Sequence, residues 1–467
     1  MTRAVLGLVL ATAPLSAEPA PPGPLSAHEV ATRLAALGPR AEGEAKARAV
    51  PLLLDALRRG GLSRVRAVRH GDLINLEGVL PGATPEEIVL SAHYDTVEWS
   101  PGASDDASGC GVAVAAAADL RRTPLRHTVR IVLFDGEEHG LQGSRAWLAD
   151  LGAAGRDRIL ADLNLEMMGW SGSAGPVILS LPSRTLDRRL PPGWLVHAVL
   201  RSGEAVGWPF AVADNRFPLL AQLVSRSARM PYGSDSQSFL GQGVPSLTLS
   251  DSSLLVEDPA YHRSTDTAAR LDARRLDRWA QAVTAAVRRL DSLAGRPRPE
   301  DQYLVLFGRV WHRRDLMWAG FLLWVLLVFR GRPGRWRGGS AAEHGRQMRG
   351  YLPGFLFRLL LLLAIFLAPV FSVLLLPAAA LALVPPRPDW ARILWIVAGL
   401  LPVAAFLVSS GLAIGGRIVS LQGGFLGGPA AALLIPAALL TYGWTIALGP
   451  LRERRLTGVH ASGKIET

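Results

Sequence analysis

Cysteine and lysine are almost missing from this chain of 467 residues. The single cysteine, Cys110, excludes an intramolecular disulfide, and we interpret it as a small packed residue. Of the 50 basic residues only Lys46 and Lys464 are lysines, so arginine carries nearly all of the net charge of +11. No basic stripe interleaved with aromatic residues accompanies this charge, and we therefore predict no nucleic-acid partner.

Long apolar runs are scarce before residue 315 and dominate after it. Four apolar segments occupy residues 316–329, 359–384, 393–414 and 425–448, and most of them reach the ~20 residues that a helix needs to cross a bilayer. The first segment is the shortest. We predict an all-α transmembrane domain of about four helices over residues 301–450, followed by a basic tail over residues 451–467.

The charge pattern predicts the orientation of this membrane domain. Residues 1–17 resemble a secretory signal peptide, and six arginines crowd residues 330–349. The positive-inside rule places that loop in the cytoplasm and the preceding region outside it, as in a multi-pass protein of the bacterial inner membrane. Four spans would bring Arg452, Arg454 and Arg455 outside, against the same rule, and a fifth span or a re-entrant segment would remove the conflict.

The region from 18 to 300 has the pattern of a soluble α/β domain. Residues 87–92, 128–134, 163–167 and 244–249 are short apolar strands, and helical segments separate them. Helices are predicted over residues 27–62, with a break at 38–40, over 107–120 and over 268–293. This alternation predicts a mixed, mostly parallel central sheet sandwiched by helices.

Acidic residues and histidines follow these strands in five short motifs. The motifs are His93-Tyr94-Asp95, Asp105-Asp106-Ala107-Ser108-Gly109, Glu137-Glu138, Asn164-Leu165-Glu166 and Tyr261-His262. At least five carboxylates and two imidazoles would then meet at one edge of the sheet. Such a group of side chains is what a two-metal hydrolytic site requires.

Several of these residues suit a metal site better than a structural role. His93 and Asp95 are two apart at a strand end, so Asp95 is placed to accept a proton from the imidazole nitrogen that faces away from a metal. Adjacent Glu137 and Glu138 diverge in a turn, which lets one bind a metal and the other take a proton from water. Glu166 interrupts an apolar strand, and a buried carboxylate there is costly unless it is paired.

Helix capping is the competing explanation for some of the acids. An aspartate before an alanine-rich helix is a favoured N-cap, and we assign that role to Asp106 rather than Asp105. Asp266 or Thr267 is expected to cap the last helix. Capping accounts for these two residues but does not account for His262.

The ordered motifs, with Gly140, Gly143, Ser144 and Asp266-Thr267 at their expected places, resemble those of the dizinc aminopeptidases and glutamate-carboxypeptidase-like zinc exopeptidases. The resemblance covers residues 27–293. The membrane region makes the chain similar to membrane-bound members of the endoplasmic reticulum metallopeptidase type, which also have glutamate in the fourth motif. The implied fold is that of the zinc exopeptidases.

The resemblance implies a role for each matched residue. Asp105 would bridge two zinc ions, Glu138 and His262 would complete one site, and His93 and Glu166 the other. Glu137 would be the general base in peptide hydrolysis. Asp95 would orient His93, and Tyr232 is a weaker candidate for oxyanion stabilisation, because its spacing to Asp235 is shorter by one. Many relatives have Ser-Asp-His where this chain has Ser234-Asp235-Ser236.

Three other functions compete with a membrane-anchored aminopeptidase. A glutaminyl cyclase is suggested by Phe134-Asp135-Gly136-Glu137-Glu138, but cyclases use one zinc and in general lack the Asp-x-x-Ser-Gly turn. A noncatalytic receptor or scaffold would be expected to lose ligands, and here none is missing. A transporter would be expected to place charges deep in its later spans, and these have none. The residue cleaved and the oligomeric state stay open.

Overall fold

The computed structural model describes residues 23–185, 189–213, 222, 233–252, 258–298, 303–330 and 362. The helices are α1 (Ala27–Ala35), α2 (Gly43–Arg59), α3 (Ser108–Leu120), α4 (Gln142–Arg158), α5 (Gly193–Ala205), α6 (Ser236–Gly241), α7 (Ala273–Asp291) and α8 (Arg313–Arg330). The strands are β1 (Ser63–His70), β2 (Leu73–Leu80), β3 (Thr84–His93), β4 (His127–Phe134), β5 (Ile159–Glu166), β6 (Val177–Leu179), β7 (Ala211–Val212), β8 (Ser246–Ser250), β9 (Tyr303–Leu306) and β10 (Arg309–His312).

Eight strands form one sheet in the order β1-β2-β4-β3-β5-β8-β6-β7. Its four central strands, β4, β3, β5 and β8, run parallel to one another. Antiparallel pairs join β1 to β2, β2 to β4 and β6 to β8. The predicted mixed sheet with a parallel centre is therefore confirmed, and the carboxyl ends of its central strands share one edge.

Apolar side chains cover both faces of the sheet. On one face Ile88 and Leu90 of β3 lie in a large buried cluster with α1, α2, α3, α5 and α7. On the other face Val89 lies in a smaller cluster with α4 and α6, where Phe134, Trp147 and Phe239 pack edge to face or tilted. The alternation of neighbouring β3 residues between the two clusters is what a strand buried on both faces requires.

Helix α3 lies very close to the sheet because its first turn is made of small residues. A Cβ atom on Gly109 would lie 2.7 Å from the carbonyl oxygen of Leu165 in β5, so glycine is required there. Cys110 is fully buried, and its thiol donates to the carbonyl of His93. Its predicted role as a small packed residue is confirmed.

The last long helix before residue 300 is shorter than predicted. It covers Ala273–Asp291, and a short 3-10 turn at Ala268–Arg270 precedes it. Asp272 is its N-cap and accepts from the backbone amides of Arg274 and Arg275. The expectation that Asp266 or Thr267 caps this helix was therefore wrong, because Asp272 lies next to the helix and Asp266 is used elsewhere.

Strands β9 and β10 form a hairpin that follows the predicted boundary at residue 300. The Tyr303 hydroxyl donates to the carbonyl of Pro191, so the hairpin contacts the loop before α5. Helix α8 then covers the first predicted span. In the described part of the chain, no helix combines the length and apolar character needed to cross a bilayer. The other three predicted spans, the signal peptide and the basic tail lie outside the described residues.

Candidate metal centre

The predicted site residues meet at the carboxyl edge of the central strands. His93 is the last residue of β3, Glu166 the last of β5, and Glu137 follows β4 by three residues. Because these strands are parallel, their ends bring the three side chains to one place, as open α/β sheets generally do with their ligand sites.

His93, Asp105 and Glu166 form the first group of metal-ligating atoms. The Nε2 atom of His93 lies 3.1 Å from Asp105 Oδ1 and 3.2 Å from Glu166 Oε1. All three residues are buried, and their three ligand atoms lie within 4.8 Å of one another.

Asp105, Glu138 and His262 form the second group. The Nε2 atom of His262 lies 2.9 Å from Glu138 Oε2 and 3.4 Å from Asp105 Oδ2. Asp105 therefore belongs to both groups and offers one oxygen to each. This is the shared carboxylate that the resemblance implies for two neighbouring ions.

The second group fits a cation better than it fits hydrogen bonding. His262 Nε2 is buried, yet it makes no hydrogen bond of acceptable geometry within the described residues, although two carboxylate oxygens lie near it. A buried nitrogen facing acids at poor hydrogen-bond angles is satisfied when a cation lies between them. Imidazole and carboxylate ligands suit zinc.

Asp105 is held in place from behind by Asp266. The Asp266 carboxylate accepts from the backbone amides of Ser104 and Asp105, at 2.8 and 3.1 Å. Burial raises the pKa of Asp266 to about 7, against the effect of these two amides. Asp266 therefore fixes the turn that carries the shared ligand, and this is its role in place of the expected helix cap.

Asp106 binds three segments of backbone together. Its carboxylate accepts from Gly109 in the first turn of α3, from Met167 after β5 and from His93. The contact with Gly109 agrees with the capping role assigned to Asp106. The other two contacts show that the residue also connects the strand ends that carry His93 and Glu166.

Asp95 contacts both His93 and the glutamate turn. Its Oδ1 atom lies 3.4 Å from His93 Nδ1, the nitrogen that faces away from the first group, and its backbone carbonyl is the hydrogen-bond partner of that nitrogen at 3.2 Å. The same carboxylate accepts from the backbone amides of Glu137 and Glu138, at 3.1 and 3.2 Å. Asp95 therefore orients a ligand and the turn of the candidate base together.

The crowding of acids sets the pKa values of the centre. Burial raises the pKa of Glu137 well above its usual value, and the charges of Glu166 and Asp235 add to the effect. Burial alone would lower the pKa of His262, but Asp105 and Glu138 raise it to about 10. A glutamate with a raised pKa is suited to accept and return a proton.

Three residues near Glu166 were given no individual role from the sequence. Ser234 donates to Glu166 Oε2 at 2.9 Å, and the Asn164 amide donates to Ser234 at 2.7 Å. Asp235 is buried, and burial, together with Glu166 and Asp95, raises its pKa to about 7. The available signals were the alternation along β5, which puts Asn164 on the same face as Glu166, and the correspondence of Ser234-Asp235 to the Ser-Asp-His motif of relatives. Tyr232 lies outside the described residues.

The chain is similar in sequence to known peptidases. Residues 75–287 match the sequence profile of Peptidase family M28. The chain is 28% identical over 205 residues to "Aminopeptidase YwaD" of Bacillus subtilis. This alignment covers 44% of this chain and 41% of that protein. It is 30% identical over 214 residues to "Endoplasmic reticulum metallopeptidase 1" of Mus musculus, covering 44% of this chain and 21% of that protein.

The matched part is therefore well under half of each of these relatives. Among solved structures, the LapA aminopeptidase of Legionella pneumophila aligns with a TM-score of 0.48 at 19% identity, covering 57% of this chain and 72% of that one. The family resemblance inferred from the motifs is confirmed by the profile match and the curated relatives.

Proposed function

We propose that the chain is a zinc-dependent exopeptidase, an aminopeptidase that hydrolyses peptide bonds, because residues 75–287 match the profile of Peptidase family M28. The observation that carries the proposal is the pair of ligand groups that share Asp105. Both groups are complete, and the proposal therefore includes two zinc ions per chain.

Two cations at these positions would polarise the scissile carbonyl and lower the pKa of a water molecule. Around them, this chain's residues have separate tasks. Asp95 holds the Glu137 turn through two backbone amides, and the Glu137 side chain interacts electrostatically with His93 and Glu166. Glu137 takes a proton from the attacking water and returns it to the leaving amine.

The test measures metal content and product release with the full-length chain. Zinc is counted per chain, and hydrolysis is followed on peptides that offer an aminoacyl, a carboxy-terminal or an N-terminal glutaminyl residue. Two zinc ions with release of the first residue, abolished in Glu137→Gln while zinc is retained, is the result expected.

Other outcomes would overturn the proposal in recognisable ways. One zinc with pyroglutamate formation would make the chain a glutaminyl cyclase. No zinc and no turnover would leave a receptor or scaffold on the same fold. Release of carboxy-terminal residues alone would keep the chemistry and replace the aminopeptidase assignment.

We also propose that this exopeptidase is anchored in a membrane with its catalytic region outside the cytoplasm. The apolar segments after residue 358 and the arginines of residues 330–349 support this. Reporter fusions in bacteria test it. A phosphatase fused after residue 300 should be active, and a phosphatase fused after residue 340 should be inactive. Green fluorescent protein should be dark after residue 300 and fluorescent after residue 340. An active phosphatase at residue 340 would contradict the orientation.

A further inference from the structure

Lys46 is an exception in a chain that otherwise uses arginine. Only two of the 50 basic residues are lysines, and Lys46 is the one that falls within the described residues. With so strong a preference, a lysine that arginine could replace is unexpected. The position of Lys46 therefore requires a structural explanation.

Lys46 lies in the second turn of α2 and reaches a buried carboxylate. Its Nζ atom is 2.6 Å from Asp135 Oδ1. The Asp135 side chain is fully buried, and that of Lys46 is 19% exposed. No hydrogen bond of acceptable geometry reaches Asp135 Oδ1 within the described residues, so Lys46 is the partner of that oxygen. Burial raises the pKa of Asp135, and Lys46 opposes the rise.

The contact suits an ammonium group rather than a guanidinium. An ammonium is a compact charge that approaches one oxygen from any direction, whereas a guanidinium is planar and wide and needs a broader opening. The other carboxylate oxygen, Asp135 Oδ2, already accepts from the backbone amide of Ile74 at 2.9 Å. A two-pronged arginine contact with Asp135 would therefore have to share Oδ2 with that amide.

Asp135 is the first residue of the turn that carries Glu137 and Glu138. Its backbone amide donates to Asn75 Oδ1, and Asn75 Nδ2 donates to the carbonyl of Gly143 in α4. Strand β2 thus holds both ends of the turn. Asn75 contacts Asp135 and Gly143, and the Ile74 amide donates to the Asp135 carboxylate. From the opposite side, Asp95 holds the middle of the turn through the amides of Glu137 and Glu138.

We propose that Lys46 is a positioning residue for Glu137. Its ammonium neutralises and fixes Asp135, and this holds the turn of the general base at the distance that proton transfer requires, a task that arginine does not perform. The inference rests on the proposed function for the role of Glu137, but the contact between Lys46 and the turn does not.

Substitutions of Lys46 in the full-length chain test this role. In Lys46→Met and Lys46→Arg we expect kcat to fall by about 10- to 100-fold, the effect of small misplacement of a reacting group, with KM little changed. Zinc content should stay at the value of the unmodified protein. Arg48→Met, an exposed position in the same helix, is the matched control and should leave kcat unchanged.

Chemical rescue separates charge from general damage. Lys46→Cys is alkylated with 2-bromoethylamine, which rebuilds a lysine-like ammonium, or with iodoacetamide, which leaves a neutral group. Cys110 is fully buried, so the new thiol is the one that reacts in the folded protein. The ammonium should restore kcat and the neutral group should not.

Amide hydrogen exchange over residues 135–141 gives a readout that needs no turnover. Faster exchange there in Lys46→Met and Lys46→Arg, reversed by the ammonium adduct, is expected. Full activity and unchanged exchange in Lys46→Arg, or equal rescue by the neutral adduct, would overturn the proposal. An inactive unmodified protein would count against the proposed function, and the exchange data would still decide the role of Lys46.

Discussion

The indole N–H of Trp99 donates to the backbone carbonyl of His262, at 2.8 Å. His262 has a φ of 54°, a left-handed conformation that is unfavourable for a residue with a side chain. Its ring stacks on Tyr261, with the two ring centroids 3.8 Å apart. The metal-ligating loop is therefore held in a strained conformation by an indole that is itself 60% exposed.

Replacing Trp99 should weaken metal binding through His262. In Trp99→Phe the hydrogen bond to the carbonyl is lost, and the loop can relax from the left-handed conformation. We expect zinc affinity to fall about 10-fold, as for other residues that orient a ligand. Competition with a chelator measures this. Trp311→Phe, a partly exposed tryptophan of β10, is the control, and an equal loss in both variants would contradict the assignment.

Ser234→Ala should affect the first group of ligands. Ser234 donates to Glu166 Oε2, so its loss frees Glu166 to rotate and leaves the buried Asn164 amide without its acceptor. An unsatisfied buried donor costs about 1–3 kcal/mol of stability. Thermal unfolding and chelator competition should both report a loss. Ser292→Ala, at the end of α7, should change neither, and unchanged zinc affinity in Ser234→Ala would refute the role.

The buried acid Asp162 predicts a pH dependence of stability. Burial raises its pKa to about 8, although the hydroxyls of Ser246 and Ser91 donate to it and lower it. The folded protein then binds a proton that the unfolded chain releases near pH 4. This contribution to stability is complete below about pH 4 and is lost as pH rises through 8, at up to about 1.4 kcal/mol per pH unit.

Asp162→Asn removes that titration and keeps both hydroxyl partners. Relative to the unmodified protein, the free energy of unfolding of the variant should increase from pH 4 to pH 8 and then level off. Denaturant unfolding at several pH values measures the difference. A difference that does not change with pH would show that Asp162 is ionised in the folded state.

After metal removal, the ligand histidines should be protonated. Metal binding should then release these protons. Without a cation, Asp105 and Glu138 raise the pKa of His262 to about 10, and nearby acids also raise that of His93. Metal ligation needs neutral imidazole, so zinc binding at pH 7 should release protons, and affinity should fall as pH falls. Calorimetry in buffers of different ionisation enthalpy counts the protons. No release would contradict these pKa shifts.

Much of the site could be predicted because its ligands follow strands with strong apolar patterns. Strands β3, β4, β5 and β8 are buried on both faces and read clearly as short apolar runs. Strand β1 carries exposed arginines at the edge of the sheet, and β7 has two residues, so neither has a pattern that the sequence reveals.

Contacts between distant segments were beyond the reach of sequence patterns. The ion pair of Lys46 with Asp135 joins residues 89 positions apart, and the hydrogen bond of Trp99 with His262 spans 163 positions. Asp266 was expected to cap a helix because local capping is the commonest use of such a residue. Its contact with the Ser104–Asp105 turn depends on the folded sheet, which brings the two loops together.

The single carboxylate common to both ligand groups makes their occupancies interdependent. An ion bound through one oxygen of Asp105 changes the charge and the orientation of the other oxygen, so the first binding event alters the free energy of the second. Linkage requires this effect to be the same whichever position is filled first. Each zinc affinity of this protein is therefore defined only for a stated occupancy of the neighbouring position, and partial loading yields a mixture of species with different properties.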